Sequence, residues 1–227
     1  MSEIVLLATR NAGKLRELLP MLVAAGIRAE TLADAGIPET VDEEGLESFD
    51  TFEQNALAKA RWFSAHANGR VVLADDSGLV VAALDGRPGV RSKRWAGQPA
   101  LEGRALDDAN NAHLLAELDR ASSVGSVGRS ARYTCAAACA WGDSSMVAIG
   151  ETPGHIVSSP SGTAGFGYDP YFWSDDLGAV FADVSREAKQ SVSHRGRAFR
   201  QLLESMSSDP GLKRKLFGPV DPEGVRG

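Results

Sequence analysis

A polar turn near the amino terminus has the composition of a phosphate site. The stretch VLLATRNAGKLRE, residues 5–17, runs from apolar residues into a turn that carries a glycine and Lys14, and a helical pattern follows. Ala8 and Leu15 occupy two of the four fixed positions of the P-loop pattern G-x-x-x-x-G-K-[ST], so the turn is not a P-loop. A strand that leads into a helix amino terminus still presents backbone N–H groups and the positive end of the helix dipole to an anion. An ordinary turn, with Asn11 capping the helix, is the alternative that this stretch alone leaves open.

Two adjacent carboxylates form a second candidate site. Asp75 and Asp76 stand in LADDSG, which reads as the end of a strand before a Ser-Gly turn. Side chains alternate along a strand, so we expect the two acids to face opposite sides and to have different tasks: one binds a metal ion or activates water, and the other supports the turn. A turn with two solvated acids is the alternative. The acidic run Asp42, Glu43 and Glu44 could complete a magnesium site, although such runs are usually solvated.

Two later stretches could recognise a nucleobase. The segment GTAGFGYDP, residues 162–170, offers aromatic rings for stacking and Asp169 as an acceptor for a base N–H. The segment EAKQSVSHRG gathers Lys189, His194 and Arg195, which can bind phosphate or read a base. Packing at a sheet edge and a solvated basic face are the respective alternatives.

The composition limits the kinds of partner. The chain has 227 residues, 43% of them hydrophobic, and a net charge of −6. The acidic balance and the lack of a basic stripe argue against nucleic-acid binding, and no apolar run approaches the roughly 18 residues that span a bilayer. The amino terminus lacks the features of a secretory signal, so we expect a cytoplasmic protein. Cys135 and Cys139 are four residues apart and are expected to be buried, reduced thiols.

Apolar periodicity predicts the elements that position these residues. Helices alternate with strands in the first half and strands cluster in the second, which indicates an α/β or α+β protein built on one mixed sheet. Pro20 is expected to kink the first helix or to start a second segment. The predicted elements are strands at 3–8 and near 28–32, helices at 11–25 and 51–67, separate strands in RVVLADDSG and LVVAAL, a helix in LDDANNAHLLAELDR, a flexible connector at 121–130, two long strands turned at GDSS, and one or two helices in SREAKQSVSHRGRAFRQLLESM.

The motifs together resemble one known family. T-x-N-x-x-K, A-D-D-S-G, F-G-Y-D-P and S-H-R-G occur in this order over residues 9–196, as in the bacterial branch of the inosine triphosphate pyrophosphatase (Ham1-like) family. The resemblance implies an elongated α/β fold with two lobes flanking a central cleft, a homodimer, and a magnesium cofactor. It also implies hydrolysis of non-standard purine nucleoside triphosphates to the monophosphate and pyrophosphate.

The resemblance assigns a role to each matching position. The catalytic carboxylate would be Asp76, which would also bind magnesium, with Ser77 beside it at the substrate. The triphosphate would be held by Thr9, Arg10, Asn11, Ala12, Gly13 and Lys14. The purine would be framed by Phe166, Gly167, Tyr168 and Asp169, contacted by Lys189, and read by His194 and Arg195.

Some features depart from the family pattern. The segment E-T-G-x-T-F-x-x-N-A appears here as EEGLESFDTFEQNA, interpreted as longer by a few residues, and Glu43 is the favoured second metal ligand. Thr152 stands where relatives often carry an aromatic residue, which bears on lobe or dimer packing. We expect one two-lobed domain over 1–206 and a flexible or loosely docked tail over 207–227. A purine-triphosphate sensor without turnover and a phosphomonoesterase remain alternative functions.

Overall fold

The described residues form a seven-stranded mixed sheet, which confirms the predicted α/β class. The computed structural model describes residues 3–124 and 128–217. The strand order is β2-β1-β3-β4-β5-β6-β7; β2, β1 and β3 are parallel and the remaining pairs are antiparallel. The strands are β1 Val5–Leu7, β2 Ala29–Thr31, β3 Val72–Val81, β4 Ser130–Trp141, β5 Ser144–Ile156, β6 Phe172–Ser174 and β7 Ala179–Val180. The helices are α1 Ala12–Ala24, α2 Phe52–His66, α3 Gly103–Val124, α4 Arg186–Val192, α5 His194–Ser208 and α6 Pro210–Phe217.

The helices cover different parts of the sheet. α1 and α5 pack on one face, where Leu18 and Phe199 are fully buried, and α2 packs on the opposite face through Phe63. A third apolar cluster lies where β3 ends and β4 begins, and α3 joins it through Leu114 and Leu118. This arrangement follows from apolar stripes at helical spacing, each of which must be buried against the sheet.

The predicted hairpin in the second half is confirmed. β4 and β5 pair in an antiparallel ladder from Ser130 opposite His155 to Trp141 opposite Ser144. Cys135 and Cys139 lie on the same side of β4, and both are buried, free thiols. Burial raises the pKa of Cys139 to about 12, so this thiol stays protonated at neutral pH.

The prediction of a turn at Ser77 and Gly78 is wrong. β3 is one continuous strand from Val72 to Val81, and it pairs with β4 along its whole length. Gly78 has a packing role here: a Cβ at this position would lie 2.4 Å from the carbonyl oxygen of Gly89 and 2.4 Å from Ser92 Oγ. The glycine therefore lets the segment 89–94 pack directly on the strand.

Three predicted boundaries differ in the structure. α1 continues through Pro20 to Ala24, so the proline does not start a second segment. α3 extends through Val124 into the predicted connector, of which residues 125–127 lie outside the described residues. Within the predicted tail, α6 packs Leu212 and Leu216 into the core, and residues 218–227 lie outside the described part of the chain.

A hydrogen bond from a buried side chain joins β5 to α4. Thr152 on β5 is fully buried, and its hydroxyl donates to the carbonyl oxygen of Val192 at the end of α4. The polar side chain at this position thus joins the sheet to α4.

None of the helices in the described part of the chain combines the length and the apolar character that crossing a membrane requires.

Candidate active site

The turn between β1 and α1 is shaped by its own polar side chains. Asn11 caps α1 by accepting a hydrogen bond from the Lys14 N–H at 3.0 Å, and Thr9 Oγ1 accepts one from the Asn11 N–H at 3.2 Å. Ala12 and Gly13 form the first helical turn, whose N–H groups are the ones an anion would meet. Arg10 turns away from this helix end. Its guanidinium binds the carboxylate of Glu43 at 2.7 Å and the carbonyl oxygen of Pro38 at 2.9 Å.

A buried carboxylate joins the phosphate turn to the second half of the chain. Asp75 is fully buried, and its Oδ2 lies 3.1 Å from Lys14 Nζ and 3.1 Å from Arg195 Nε. Burial alone would raise the pKa of Asp75, but the two cations outweigh it and hold the pKa well below its usual range. Arg195 Nη2 also donates to Ser77 Oγ at 2.8 Å. These contacts bring Lys14, Ser77 and Arg195 together, although their positions in the sequence are far apart.

Glu17 is a site residue that the sequence motifs did not reveal. It stands one turn after Lys14 on α1 and accepts hydrogen bonds from Lys189 Nζ, at 3.1 Å, and from Arg195 Nη1. Burial opposes its charge, but Arg195 and Lys189 keep the pKa of Glu17 below its usual value. A glutamate on a helix usually faces solvent, so only its long-range partners identify it.

Asp76 faces the other side of β3, as strand alternation requires. Asn55 on α2 donates to Asp76 Oδ2 at 2.9 Å and fixes the orientation of the carboxylate. Burial raises the pKa of Asp76; the charge of Glu47 adds to this rise, while the cations Lys14 and Lys59 partly oppose it. Asp76 is therefore a positioned carboxylate that accepts a proton more readily than an ordinary aspartate.

Glu47, and not Glu43, is the glutamate whose charge acts on the pKa of Asp76. Glu47 pairs with Lys59, and Asn55 binds the backbone of Phe49 two residues further on, so α2 holds this segment beside Asp76. The sequence contained a signal for it. Counting E-T-G-x-T-F-x-x-N-A back from Asn55 places Glu47 at the glutamate position with no insertion, so the interpretation of a longer segment is wrong.

Phe166 lies between the phosphate turn and the basic residues. A Cβ at Gly13 would be only 2.9 Å from Phe166 Cδ1, so the glycine makes room for the ring. Lys189 Nζ is 5.1 Å and Arg195 Cζ 5.8 Å from the ring centroid, within cation–π range. Asp169, at the end of this loop, accepts from Lys189 Nζ at 2.7 Å and from the Phe166 N–H at 2.8 Å.

Tyr168 and His194 are buried parts of the same wall. Tyr168 is 4% exposed, and its hydroxyl donates a hydrogen bond to the carbonyl oxygen of Ser92 at 2.8 Å. Its ring is therefore mainly part of the core and has little surface free for stacking on a base. His194 stacks on Tyr133 with ring centroids 4.6 Å apart and an interplanar angle of 8°. Burial, with Arg195 and Lys189 nearby, holds the pKa of His194 well below its usual value. Its Nδ1 is buried and has no hydrogen-bond partner among the described residues.

Most of the predicted site residues surround a single cleft. Its wall contains Lys14, Ser77, Phe166, Gly167, Tyr168, Asp169, Lys189, His194 and Arg195. Asp76 lies next to Ser77, on the opposite face of the strand, and Arg10 and Glu43 pair with each other. The arrangement combines a helix amino terminus, fixed cations, a ring for stacking and a carboxylate with a raised pKa, which are the groups needed to bind and cleave a nucleoside triphosphate.

Comparisons with known proteins identify the class of this fold and site. The family model of the Ham1 family matches residues 5–205. The chain belongs to the Ham1 family.

Relatives match almost their whole length. The dITP/XTP pyrophosphatase of Geobacter sulfurreducens is 45% identical over 203 residues, which cover 89% of this chain and 96% of that protein. The dITP/XTP pyrophosphatase of Nitratidesulfovibrio vulgaris is 46% identical over 202 residues, covering 88% and 94%. The structure of a HAM1 protein from Coxiella burnetii superposes with a TM-score of 0.77 at 32% identity, covering 91% of this chain and 100% of that chain.

Proposed function

We propose that this protein hydrolyses the non-standard purine nucleoside triphosphates dITP, ITP, XTP and dXTP to the monophosphate and pyrophosphate, and so removes them from the nucleotide pool. The names of relatives at 45% and 46% identity support this substrate class. The single structural observation that carries the proposal is the convergence of Lys14, Ser77, Lys189 and Arg195 on one cleft with the Phe166 ring. Phosphate-binding and base-binding groups thus lie within reach of one ligand.

The triphosphate binds at the amino terminus of α1. Backbone N–H groups of the first turn and Lys14 compensate its negative charge, and Lys59, which is nearly buried beside Asp76, adds a second cation. Charge compensation makes pyrophosphate a better leaving group. Asp75 Oδ2 lies 3.1 Å from Lys14 Nζ and fixes the position of this ammonium in the first turn of α1.

Asp76 activates the attacking water. A general base works best when its pKa lies near the working pH, and burial together with Glu47 moves the pKa of Asp76 in that direction. The Asn55 amide fixes the carboxylate, so the accepted proton goes to a defined atom. Water attacks the α-phosphorus and the bond to the bridging oxygen of pyrophosphate breaks; such transfers depend mainly on alignment and charge.

The carboxylates fit a magnesium site that uses Asp76 and Glu47. Burial, with a smaller contribution from the charge of Glu47, raises the pKa of Asp76, and a divalent cation would stabilise the charged carboxylate. Magnesium commonly takes one or two protein carboxylates and completes its shell with water and phosphate oxygens. Within residues 3–124 and 128–217 no group of three or more His, Cys, Asp or Glu side chains is placed to hold a metal ion, so the proposed site has two protein carboxylates. When bound, the ion neutralises phosphate charge.

Arg195 favours a 6-oxo purine. Its Nε, Nη1 and Nη2 each donate one hydrogen bond, to Asp75, Glu17 and Ser77, so two of the five guanidinium N–H groups have no partner in the described part of the chain and could bind a ligand. A donor facing position 6 rewards the oxygen of hypoxanthine or xanthine and opposes the amino group of adenine. His194 lies on the same wall, and its buried Nδ1 has no hydrogen-bond partner within residues 3–124 and 128–217.

We also propose a homodimer and a cytoplasmic location. The homodimer follows from the family resemblance, and the free, buried thiols of Cys135 and Cys139 support a reducing compartment such as the cytoplasm.

The proposed function is tested by the identity of the products. The protein is incubated with ITP, XTP, GTP and ATP plus magnesium in water enriched in oxygen-18. The products are separated, and their masses are measured by mass spectrometry. We expect pyrophosphate from ITP and XTP, and the label in the monophosphate, because water attacks the α-phosphorus. Release of orthophosphate would favour a phosphomonoesterase, and binding without any turnover would favour a sensor.

A further inference from the structure

The first turns of α3 hold both backbone groups of Gly167. Asp107 Oδ2 accepts a hydrogen bond from the Gly167 N–H at 2.8 Å, and Asn111 Nδ2 donates one to the Gly167 carbonyl oxygen at 3.0 Å. Asp107 and Asn111 are four residues apart on α3, so they lie on the same face of the helix one turn apart. The two side chains together form a clamp on one peptide unit of the loop 162–168.

This loop needs an external support. Gly162, Gly165 and Gly167 have φ angles of +75°, +81° and +64°, and glycine loses more conformational freedom on ordering than any other residue. α3 is a firm anchor for it, because Leu114 and Leu118 are fully buried in the apolar cluster at that end of the sheet. The clamp connects this glycine-rich loop to a helix that is anchored in the core.

The position of Gly167 sets the position of Phe166. The ring of Phe166 fits against Gly13 and lies 5.1 Å from Lys189 Nζ, so its neighbours leave it little freedom once the loop is placed. We propose that Asp107 and Asn111 are positioning residues that hold the Phe166 ring at the base end of the cleft. This inference rests on the proposed function, since it concerns affinity for the purine of the same substrates.

Asp107 is expected to contribute more than Asn111. Its hydrogen bond is assisted by charge, and such bonds are about twice as strong as neutral ones. Its side chain also lines the cleft, where partial burial makes an unbonded carboxylate costly. Neither side chain bonds a group assigned to the triphosphate, so we expect the clamp to act through the position of the Phe166 ring.

The test compares Asp107→Ala, Asp107→Asn and Asn111→Ala with the control Asp108→Asn, which changes an exposed acid on the same helix. KM and kcat are measured with ITP and magnesium, and inorganic tripolyphosphate, which has no base, is used as a competitive inhibitor. We expect Asp107→Ala to raise KM for ITP roughly tenfold with kcat changed less than about twofold, and Asn111→Ala to raise it less. Asp107→Asn keeps an acceptor for the Gly167 N–H, so its KM should lie between those of the wild type and Asp107→Ala.

The inhibition constant of tripolyphosphate separates positioning from general damage. It should be the same in all variants if the clamp acts only through the base loop. Equal KM values for Asp107→Ala and Asp108→Asn would overturn the inference, as would a matching loss of tripolyphosphate binding. A wild-type protein that releases no pyrophosphate from ITP would instead refute the proposed function, so the two failures are distinguishable.

Discussion

Asp75 and Asp76 are neighbours on β3, yet they belong to opposite faces of the sheet and their pKa values move in opposite directions. Asp75 meets Lys14 and Arg195, which lower its pKa, whereas Asp76 is buried near Glu47, which adds to a raised pKa. One strand therefore supplies both a permanent anion that organises cations and a carboxylate able to accept a proton.

Asp76→Asn should remove nearly all turnover without unfolding the protein. The amide cannot accept the proton of the attacking water, and loss of a general base commonly costs a factor of about 100 or more. Pyrophosphate release from ITP measures the effect, and thermal unfolding checks the fold. Asp85→Asn, a change of an exposed acid away from the cleft, is the matched control. Full activity in Asp76→Asn would end the proposed mechanism.

Glu47→Gln and Glu43→Gln should separate the two candidates for the second metal ligand. Glu47 lies beside Asp76, whereas Glu43 is paired with Arg10. We expect Glu47→Gln to raise the magnesium concentration for half-maximal activity by about tenfold or more, and Glu43→Gln to leave it nearly unchanged. Magnesium titrations at saturating ITP give both values. The reverse result would return the metal role to Glu43.

Arg195→Ala should weaken the preference for ITP over ATP. Loss of a guanidinium that donates to the 6-oxo group should reduce the ratio of kcat/KM values by roughly tenfold. Arg197→Ala is a control of the same residue type on the same helix, where the guanidinium binds Asp176 at 3.0 Å. If the ratio is unchanged in Arg195→Ala, the base is read by another group.

Glu17→Gln should make stability less sensitive to acid. Arg195 and Lys189 lower the pKa of Glu17 in the folded protein, so its charge stabilises the fold fully above the unfolded pKa of about 4.3. This stabilisation is lost as the pH falls from there through the lower folded pKa. The difference in unfolding free energy between wild type and variant should therefore shrink as the pH falls below about 5. Urea unfolding measures it, and the exposed Glu204→Gln is expected to show no such convergence.

Gly78→Ala should destabilise the protein by about 1 to 3 kcal/mol, the range for an overpacked interior. The new methyl group would lie 2.4 Å from the carbonyl oxygen of Gly89, which belongs to backbone and cannot turn aside. Gly128→Ala is the control, since no atom of the described residues lies within 4 Å of its Cβ position. Equal unfolding midpoints for the two variants would show that the segment 89–94 can shift at little cost.

Local sequence predicted most elements and some of their ends. Asn11 and Thr51 cap α1 and α2 because side-chain oxygens at these positions satisfy N–H groups of the first turn. The sequence GDSS after Trp141 predicted the turn between β4 and β5, because such small and polar residues between two strand patterns indicate a hairpin. The break predicted at Gly78 fails because glycine serves turns and close packing equally well, and only the neighbouring chain distinguishes the two.

Local sequence was sufficient to predict which residue types the site contains and that Asp75 and Asp76 face opposite sides, since alternation along a strand is a local property. The partners of these residues depend on the packing of distant elements. Glu17 meets Arg195 across 178 positions and Asp75 meets it across 120, and α3 reaches Gly167 across 60. A buried charge is stable only where the packing of distant elements brings it a partner, and no local preference of the chain encodes that meeting.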